Sequence, residues 1–546
     1  MKRQRLKAIA LVGALVLVAA ACQSEGASDS TEPAPVDTSP ETSAPETTEP
    51  PSGGLGGETV VIALADDPGT LHPYLTLSEA GFVTFEFLYD NLVKLDDEGN
   101  LLPNVASEWT YVDNVATFTI SEGVTCSDGS PVTASMIASN LEWIKDPANE
   151  SAQIELVFGS PDFEVAADDG TNTLTITLPQ ATDYFLETTA SLLPIPCGSW
   201  QEDSDALATS AMGSGPYTLE EAVAGDRYVL VRNDAYAWSP LDVDIAELPA
   251  QIELRIVGDE TTVANLIESG EVHAGIVNGP DRERFTSEEF GNVPTPTGNQ
   301  FTFFNHGEGR ITADRTVREA LIRAVDLDAV APIAAQGLAA ERSTSMIEGQ
   351  PFYCGTNPGA IAALPGYDAA AAAELLDEAG WVVGDDGIRE KDGQRLSLDA
   401  PYQITTSGSE PGAELIAEAW AAIGVEANLR GVTDSEMSEI FFGTGQFDVL
   451  PLTSARPPTP APWVGLLSTE NAASVNNEAF NTAGQAAIAS SDHEAACEAW
   501  FEAELALYED VSYVPVSIEI SNWITRDISF RTNGSHIIPT SIAPLS

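Results

Sequence analysis

Nucleophilic, proton-transfer and metal chemistry need particular side chains at particular spacings, and this sequence is sparing with them. Its histidines are His72, His273, His306, His493 and His536, and its cysteines are Cys22, Cys126, Cys197, Cys354 and Cys497. No GxSxG elbow, HExxH helix or Walker-type phosphate loop occurs. No cysteine stands in a CxxC or Cys/His metal spacing. Asp492, His493 and Glu494 are consecutive, and consecutive helical residues point in different directions, so they do not converge on an ion. "GSGPY" at 213–217 is too short and wrongly placed for a dinucleotide fingerprint. No catalytic constellation is present, and no metal or cofactor is expected.

Cys22 invites a different chemistry. Lys2, Arg3, Arg5 and Lys7 precede an uncharged apolar run from Ala8 to Ala21, and three alanines abut the cysteine. A basic start, a short apolar stretch and small residues at its end make a secretory signal. The run falls short of the ~20 residues a bilayer-spanning helix needs. The junction resembles a bacterial lipobox, whose cysteine takes lipid, although Ala19 stands where that motif usually has Leu. Residues 1–22 are therefore read as a lipoprotein signal with Cys22 as lipid anchor. Residues 23–57 are Ser, Thr, Pro, Glu, Gly and Ala with few large apolar side chains. Such a segment buries too little to offset its ordering entropy and reads as a disordered tether.

The remaining chain, about 490 residues, is too long for one core, so two or three lobes are expected. Asp and Glu number 84 against 23 Lys and Arg, a formal net charge of −61. That field repels nucleic acid and anionic lipid, and no basic stripe opposes it. A monomeric body on an anchor at the outer face of the cell membrane is the expectation.

Periodicity places the elements. A β-type run, Val60–Ala65, precedes an amphipathic helix carrying Phe82, Phe85, Phe87 and Leu88. Alternation marks a strand at Ala116–Ile120, and a helix begins near Thr133. Two strands joined at Ala224–Gly225 lead into "AQIELRIVGDETTVANLIESGEVHAGIV", a strand, a capped helix and a return to strand. That is the βαβ rhythm of an α/β lobe. Further helices begin around Asp314, with Val317, Leu321 and Ala324 on one face and Gly337 as a stop. "DAAAAAELLDEAGW" has Asp368 as N-cap and Gly380 as stop, with Trp381 over the helix end. "GQFDVLPLTSARPPTPAPW" reads as a strand entering a rigid Pro-rich loop, and a helix (Glu494–Tyr508) and the strand "SYVPVSIEI" close the chain.

In this order, "NVASEWTYVDNVATFTISEGVTCSDGSPVTA", "GSGPYTLEEAVAGDRYVLVRN", "ANLIESGEVHAGIV", "DRTVREALIRAVDLDAV", "YDAAAAAELLDEAGW" with "GIREKDGQRL", and "IGVEANLRG" resemble the family 5 solute-binding proteins of ATP-binding cassette importers. These are the dipeptide, oligopeptide and nickel binding proteins. The resemblance implies an α/β, two-lobed periplasmic-binding-protein-like fold (type II, cluster C) with an extra subdomain in the first lobe. It puts lobe I at 58–305, with an inserted subdomain at about 110–212, lobe II at 306–510, and a C-terminal return to lobe I at 511–546. It implies a small solute, peptide by default, captured between the lobes and passed to membrane permease subunits. A cell-envelope lipoprotein of the same fold that regulates or scaffolds, without transport, is the alternative.

Four cysteines besides Cys22 allow three pairings, and the implied lobes favour Cys126–Cys197 and Cys354–Cys497. In this family the loop of "DPGTLHPY" lines the cleft, which nominates His72 and Tyr74. His72 either donates to solute and titrates near neutral pH or bonds its own backbone. The crossing near "NQFTFFNHG" nominates Phe304 and Asn305, and the stretch Ser454–Trp463 nominates Ser454, Arg456 and Trp463. In peptide-binding members that last loop carries an aspartate for the peptide's amino terminus. Here no Asp or Glu lies between Asp448 and Glu470. Arg456 instead either recognises an anionic solute group or pairs with one of the many acids.

Overall fold

The computed structural model describes residues 54–546 except 77, 97–98, 152, 159, 183, 340, 349–353, 405–407, 456–459, 468–472, 491, 535 and 546. Cys22 and Arg456 lie outside the described residues. Among those described, no helix is long and apolar enough to cross a membrane.

An eight-stranded mixed sheet organises the chain. Its strands, in chain order, are β1 (Thr59–Leu64), β2 (Tyr217–Val223), β3 (Arg227–Arg232), β4 (Gln251–Ile256), β5 (Ala274–Ile276), β6 (Phe290–Phe304), β7 (Val449–Ala455) and β8 (Tyr513–Arg526). Across the sheet they run β7-β6-β8-β5-β1-β4-β3-β2. β1 lies parallel to both β4 and β5. The unit linking them is the strand, helix and strand read from the sequence. Asp259 caps the helix Glu260–Ser269 by accepting from the Thr262 amide, and Gly270 ends it at φ 81°, a left-handed angle that favours glycine.

Successive residues of β1 feed opposite faces, as a strand's period of two requires. Val60, Ile62 and Leu64 enter the first core, whereas Val61 and Ala63 meet Val263, Ala264 and Ile267 behind the sheet. The first core also takes the four-stranded antiparallel sheet Ala106–Val112, Val115–Ile120, Thr173–Thr177 and Glu164–Asp168. A second, separate core spans Phe301 to Val516. It includes the parallel pair Ser397–Gln403 and Glu426–Val432, connected through the helix Ser409–Ala422. The two cores are the two lobes.

Two sequence expectations change. The helical run after Asp314 divides into Arg315–Arg323 and Leu327–Ala334, because Asp326 accepts from the Ala329 amide and starts a new helix. The Pro-rich stretch after β7 is not loop throughout, since Pro460–Leu467 is helical. Proline suits a first helical turn, where the missing N–H has no intrahelical acceptor.

Cys126 is joined to Cys197 across 5.9 Å between Cα atoms, and Cys354 to Cys497 across 5.3 Å. The first bridge closes onto the first core, and Cys354 packs against both.

Within the first lobe a charged chain is largely sealed from water. Lys94 Nζ lies 2.7 Å from Glu86 Oε2, and His536 Nδ1 lies 3.7 Å from Glu86 Oε1. Burial alone would raise the Glu86 pKa, but Lys94 and His536 hold it down at about 2. Burial alone would lower that of His536, but Glu86 raises it. A depressed carboxylate contributes stability above its ordinary value of 4.5 and loses it as pH falls towards 2. The raised histidine contributes below 6.5 and loses its contribution as pH climbs through the folded value. Glu86→Gln removes the nearer of the two carboxylates that hold the Lys94 charge, leaving Asp90, and breaking such a buried pair costs ~3–5 kcal/mol. Urea unfolding at pH 7 measures this; a loss below ~1 kcal/mol would mean that solvent screens the pair.

Candidate functional site

The two long strands β6 and β8 pair antiparallel from Phe290 opposite Arg526 to Phe303 opposite Tyr513. Phe301, Phe303, Tyr513 and Val514 make one end apolar, but the middle is polar. Thr295, Thr297, Asn299 and Gln300 on one strand, and Ser517, Glu519, Ser521 and Asn522 on the other, are all buried. Burying polar groups is costly unless they are bonded, and here they bond partners across the strands and beyond them. Ser517 Oγ donates to Gln300 Oε1 at 2.5 Å, and Asn299 Nδ2 donates to the Met346 and Glu348 carbonyls at 3.1 and 2.8 Å.

β7 adds the third side. Ser454 stands opposite Gln300 in the ladder, and its hydroxyl donates to Glu519 Oε2. Gln403, at the end of its strand, accepts from Thr453 Oγ1 at 2.7 Å and from the Ser454 amide at 2.8 Å. Gln300, Gln403, Ser454, Ser517 and Glu519 thus form a polar floor where the lobes meet. It gathers two hydroxyls, two side-chain amides and one carboxylate, with both hydroxyls donating within the floor itself, the chemistry of hydrogen-bonded recognition.

Of the seven nominated solute contacts, the six described separate into distinct places. His72 and Tyr74 turn into the first lobe, each 1% exposed. His72 Nδ1 accepts from the Tyr74 amide at 3.3 Å, and its ring packs 5.0 Å from Trp143 and 5.1 Å from Trp200. Burial lowers its pKa to about 4, so the ring is neutral near pH 7. Tyr74 donates to the Pro194 carbonyl at 2.8 Å. Phe304 lies in the second core, and Asn305 spends its amide on the Gly445 and Phe447 carbonyls and on the Gly307 amide. Trp463, in its helix, packs edge-on against Phe301 and Tyr513 at 5.6 and 5.5 Å. Ser454 alone of the described six reaches the polar floor.

Gln300, Gln403, Ser517 and Glu519 escaped the sequence reading. The available signal was a glutamate in the otherwise apolar alternation "YVPVSIEI", since a charge in a central strand needs a partner. One further group has metal-ligand types: Cys354, Cys497 and His493 offer atoms within 4.8 Å of one another. The two sulfurs are bonded to each other and supply no thiolate.

The model of the bacterial extracellular solute-binding proteins, family 5 (middle), matches residues 100–473. The chain belongs to this family. It is a binding protein of the importer type, not an enzyme, and its relatives work outside the cytoplasm. The nickel-binding periplasmic protein of Escherichia coli is 27% identical over 398 residues, covering 70% of this chain and 72% of the relative. The periplasmic murein peptide-binding protein of the same organism is 26% identical over 304 residues, covering 51% and 55%. A substrate-binding protein from Microbacterium hydrocarbonoxydans, solved with 4-hydroxybenzoate hydrazide, superposes with a TM-score of 0.70 at 26% identity, covering 89% of this chain and all of its own.

Gln403 holds two groups that have no other bond named above. Gln403→Ala leaves the Thr453 hydroxyl and Ser454 amide short of an acceptor, at ~1–3 kcal/mol. Urea unfolding should register that loss, and a change under ~0.5 kcal/mol would mean that water replaces the amide there.

Proposed function

We propose that this protein captures a small solute between its two lobes, at the polar floor formed by β6, β7 and β8, and passes it to the permease of an ATP-binding cassette importer. The observation that carries the reading is the family match over a fold whose two apolar cores are joined by a strand pair with a buried polar middle. Peptide or a peptide-like molecule is the default solute class. Named relatives bind nickel and murein peptide, and a structural neighbour holds an aromatic hydrazide, so the scaffold accepts varied polar ligands. Pockets of this kind pair a few polar groups with apolar walls.

The missing aspartate after β7 implies weak dependence on a free ligand amino terminus. Arg456, next to Ala455 at the end of β7, points to a carboxylate or other anionic group on the solute. Lipid on Cys22 keeps the body at the outer face of the membrane.

Mass spectrometry of what co-purifies identifies the solute. Calorimetry with that compound should show Arg456→Ala binding at least about tenfold more weakly, equivalent to ~1.4 kcal/mol. Unchanged affinity would remove Arg456 from the site. Cys22→Ser should release the protein from membranes, since the acyl chains supply most of the attachment; persistent membrane association would refute the anchor. An empty wild-type protein that takes up nothing from a peptide digest would favour a scaffolding role.

A further inference from the structure

Away from the polar floor the lobes touch again, through a contact that no sequence motif announced. Tyr184 belongs to the first core and immediately precedes the helix Phe185–Leu192. Its hydroxyl lies 2.9 Å from Cys354 Sγ and 3.8 Å from Cys497 Sγ, in the second lobe. A disulfide sulfur carries no hydrogen, so Tyr184 is the donor. His493 completes the seat: its ring stands edge-on to Tyr184 at 5.8 Å, and its Nε2 is 3.6 Å from Cys497 Sγ.

Both sides of this contact are braced. The Tyr184 carbonyl accepts from the Thr188 amide and hydroxyl, each at 2.9 Å, which fixes it to its helix. On the other side, Glu504 follows Cys497 by two turns of the same helix, His493–Glu509. Its carboxylate accepts from Ser345 Oγ and the Met346 amide at 2.6 Å, and from Asn357 Nδ2 at 2.9 Å. Those bonds pin the chain before and after Cys354, and the disulfide pins Cys354 itself. A second bridge between the lobes runs from Arg282, whose guanidinium donates to the Gln336 carbonyl.

We propose that the Tyr184 hydroxyl on the Cys354–Cys497 bridge is a latch that holds the two lobes closed, making Tyr184 a positioning residue for solute retention. The latch rests on the capture reading, because only a protein that opens and closes needs one. Its chemistry suits the task. A hydroxyl on sulfur is weak enough to break on each cycle, and the rigid seat means that little side-chain entropy is lost on each closure. A donor to a covalent bridge also finds its acceptor at a fixed position in every closed molecule.

Small-angle X-ray scattering of the protein dialysed free of small solutes tests it. Tyr184→Phe removes the donor and keeps the ring, so the ratio of open to closed molecules should rise about fivefold, the factor that ~1 kcal/mol represents. The Cys354→Ser/Cys497→Ser variant, which removes the fixed seat, should shift the profile the same way. Thermal unfolding of Tyr184→Phe separates the alternatives, because a merely structural tyrosine lowers the melting temperature and leaves the scattering profile unchanged. A profile for Tyr184→Phe superimposable on the wild type overturns the latch. Adding a casein digest as probe keeps the two readings apart: a wild type that never compacts with it defeats peptide capture, while the solute-free comparison still decides the latch.

Discussion

The antiparallel pairing of β6 with β8 is the interaction on which the rest of the molecule depends. These strands, 15 and 14 residues long, are the only described sheet elements that place side chains in both lobes. Trp523 and Ile524 insert on the first lobe's side, and Phe301, Phe303, Tyr513, Val514 and Val516 on the second's. Had the middle of the pair been apolar as well, the two clusters would have fused into one core and the molecule into one rigid block. The polar middle prevents this. It gives each lobe its own apolar cluster and leaves a narrow strip of sheet between them. The register shifts there as well, between Pro296 and Gly298 and between Gln300 and Phe301, and such bulges bend and twist a strand pair. A strip that is thin, bent and polar is where hinge motion between two packed bodies costs least.

The same polar strip is where the proposed capture takes place. Polar side chains buried in a sheet must find partners, and here β7 and the end of the Ser397–Gln403 strand supply them. Ser454, Gln403 and Glu519 are therefore held before any solute arrives. Preorganised groups lose less freedom on binding, so more of each hydrogen bond appears as affinity. The disulfides act at a different level. Each closes a long stretch of chain, with sequence separations of 71 and 143 residues, and so limits the unfolded chain.

Much of the framework is legible in the sequence because short-range physics determines it. Asp368 caps its helix where the pattern placed the cap, and Thr133 caps the helix expected to begin near it. Gly337 and Gly380 adopt positive φ at the expected stops, and Gly225 does so in the expected turn. The site is less legible because it is assembled from distant segments. His72 resembles a cleft residue by its neighbours in sequence, yet Trp143 and Trp200, 71 and 128 positions away, enclose it. Pro460 and Pro462 suggest loop, although proline in a first helical turn is compatible with helix. Tyr184 has no local signature at all; its meaning depends on a disulfide in the other lobe.

The charge of −61 bears on how a solute reaches this site. At physiological salt the Debye length is ~8 Å, so the acidic surface acts on a solute only near contact. Within that range a cation is drawn in and an anion repelled, whatever the floor prefers. Surface charge therefore acts mainly on the rate of encounter, whereas close contacts at a buried site act on how long a solute stays. For an anionic solute the two oppose each other: the contact proposed for Arg456 would act mainly on departure, and arrival slows as salt is removed. For a neutral or zwitterionic solute the opposition vanishes, because net attraction and repulsion nearly cancel over a Debye length. A strongly acidic shell around a hydrogen-bonding floor is thus best matched to ligands that carry polar groups without a large net negative charge.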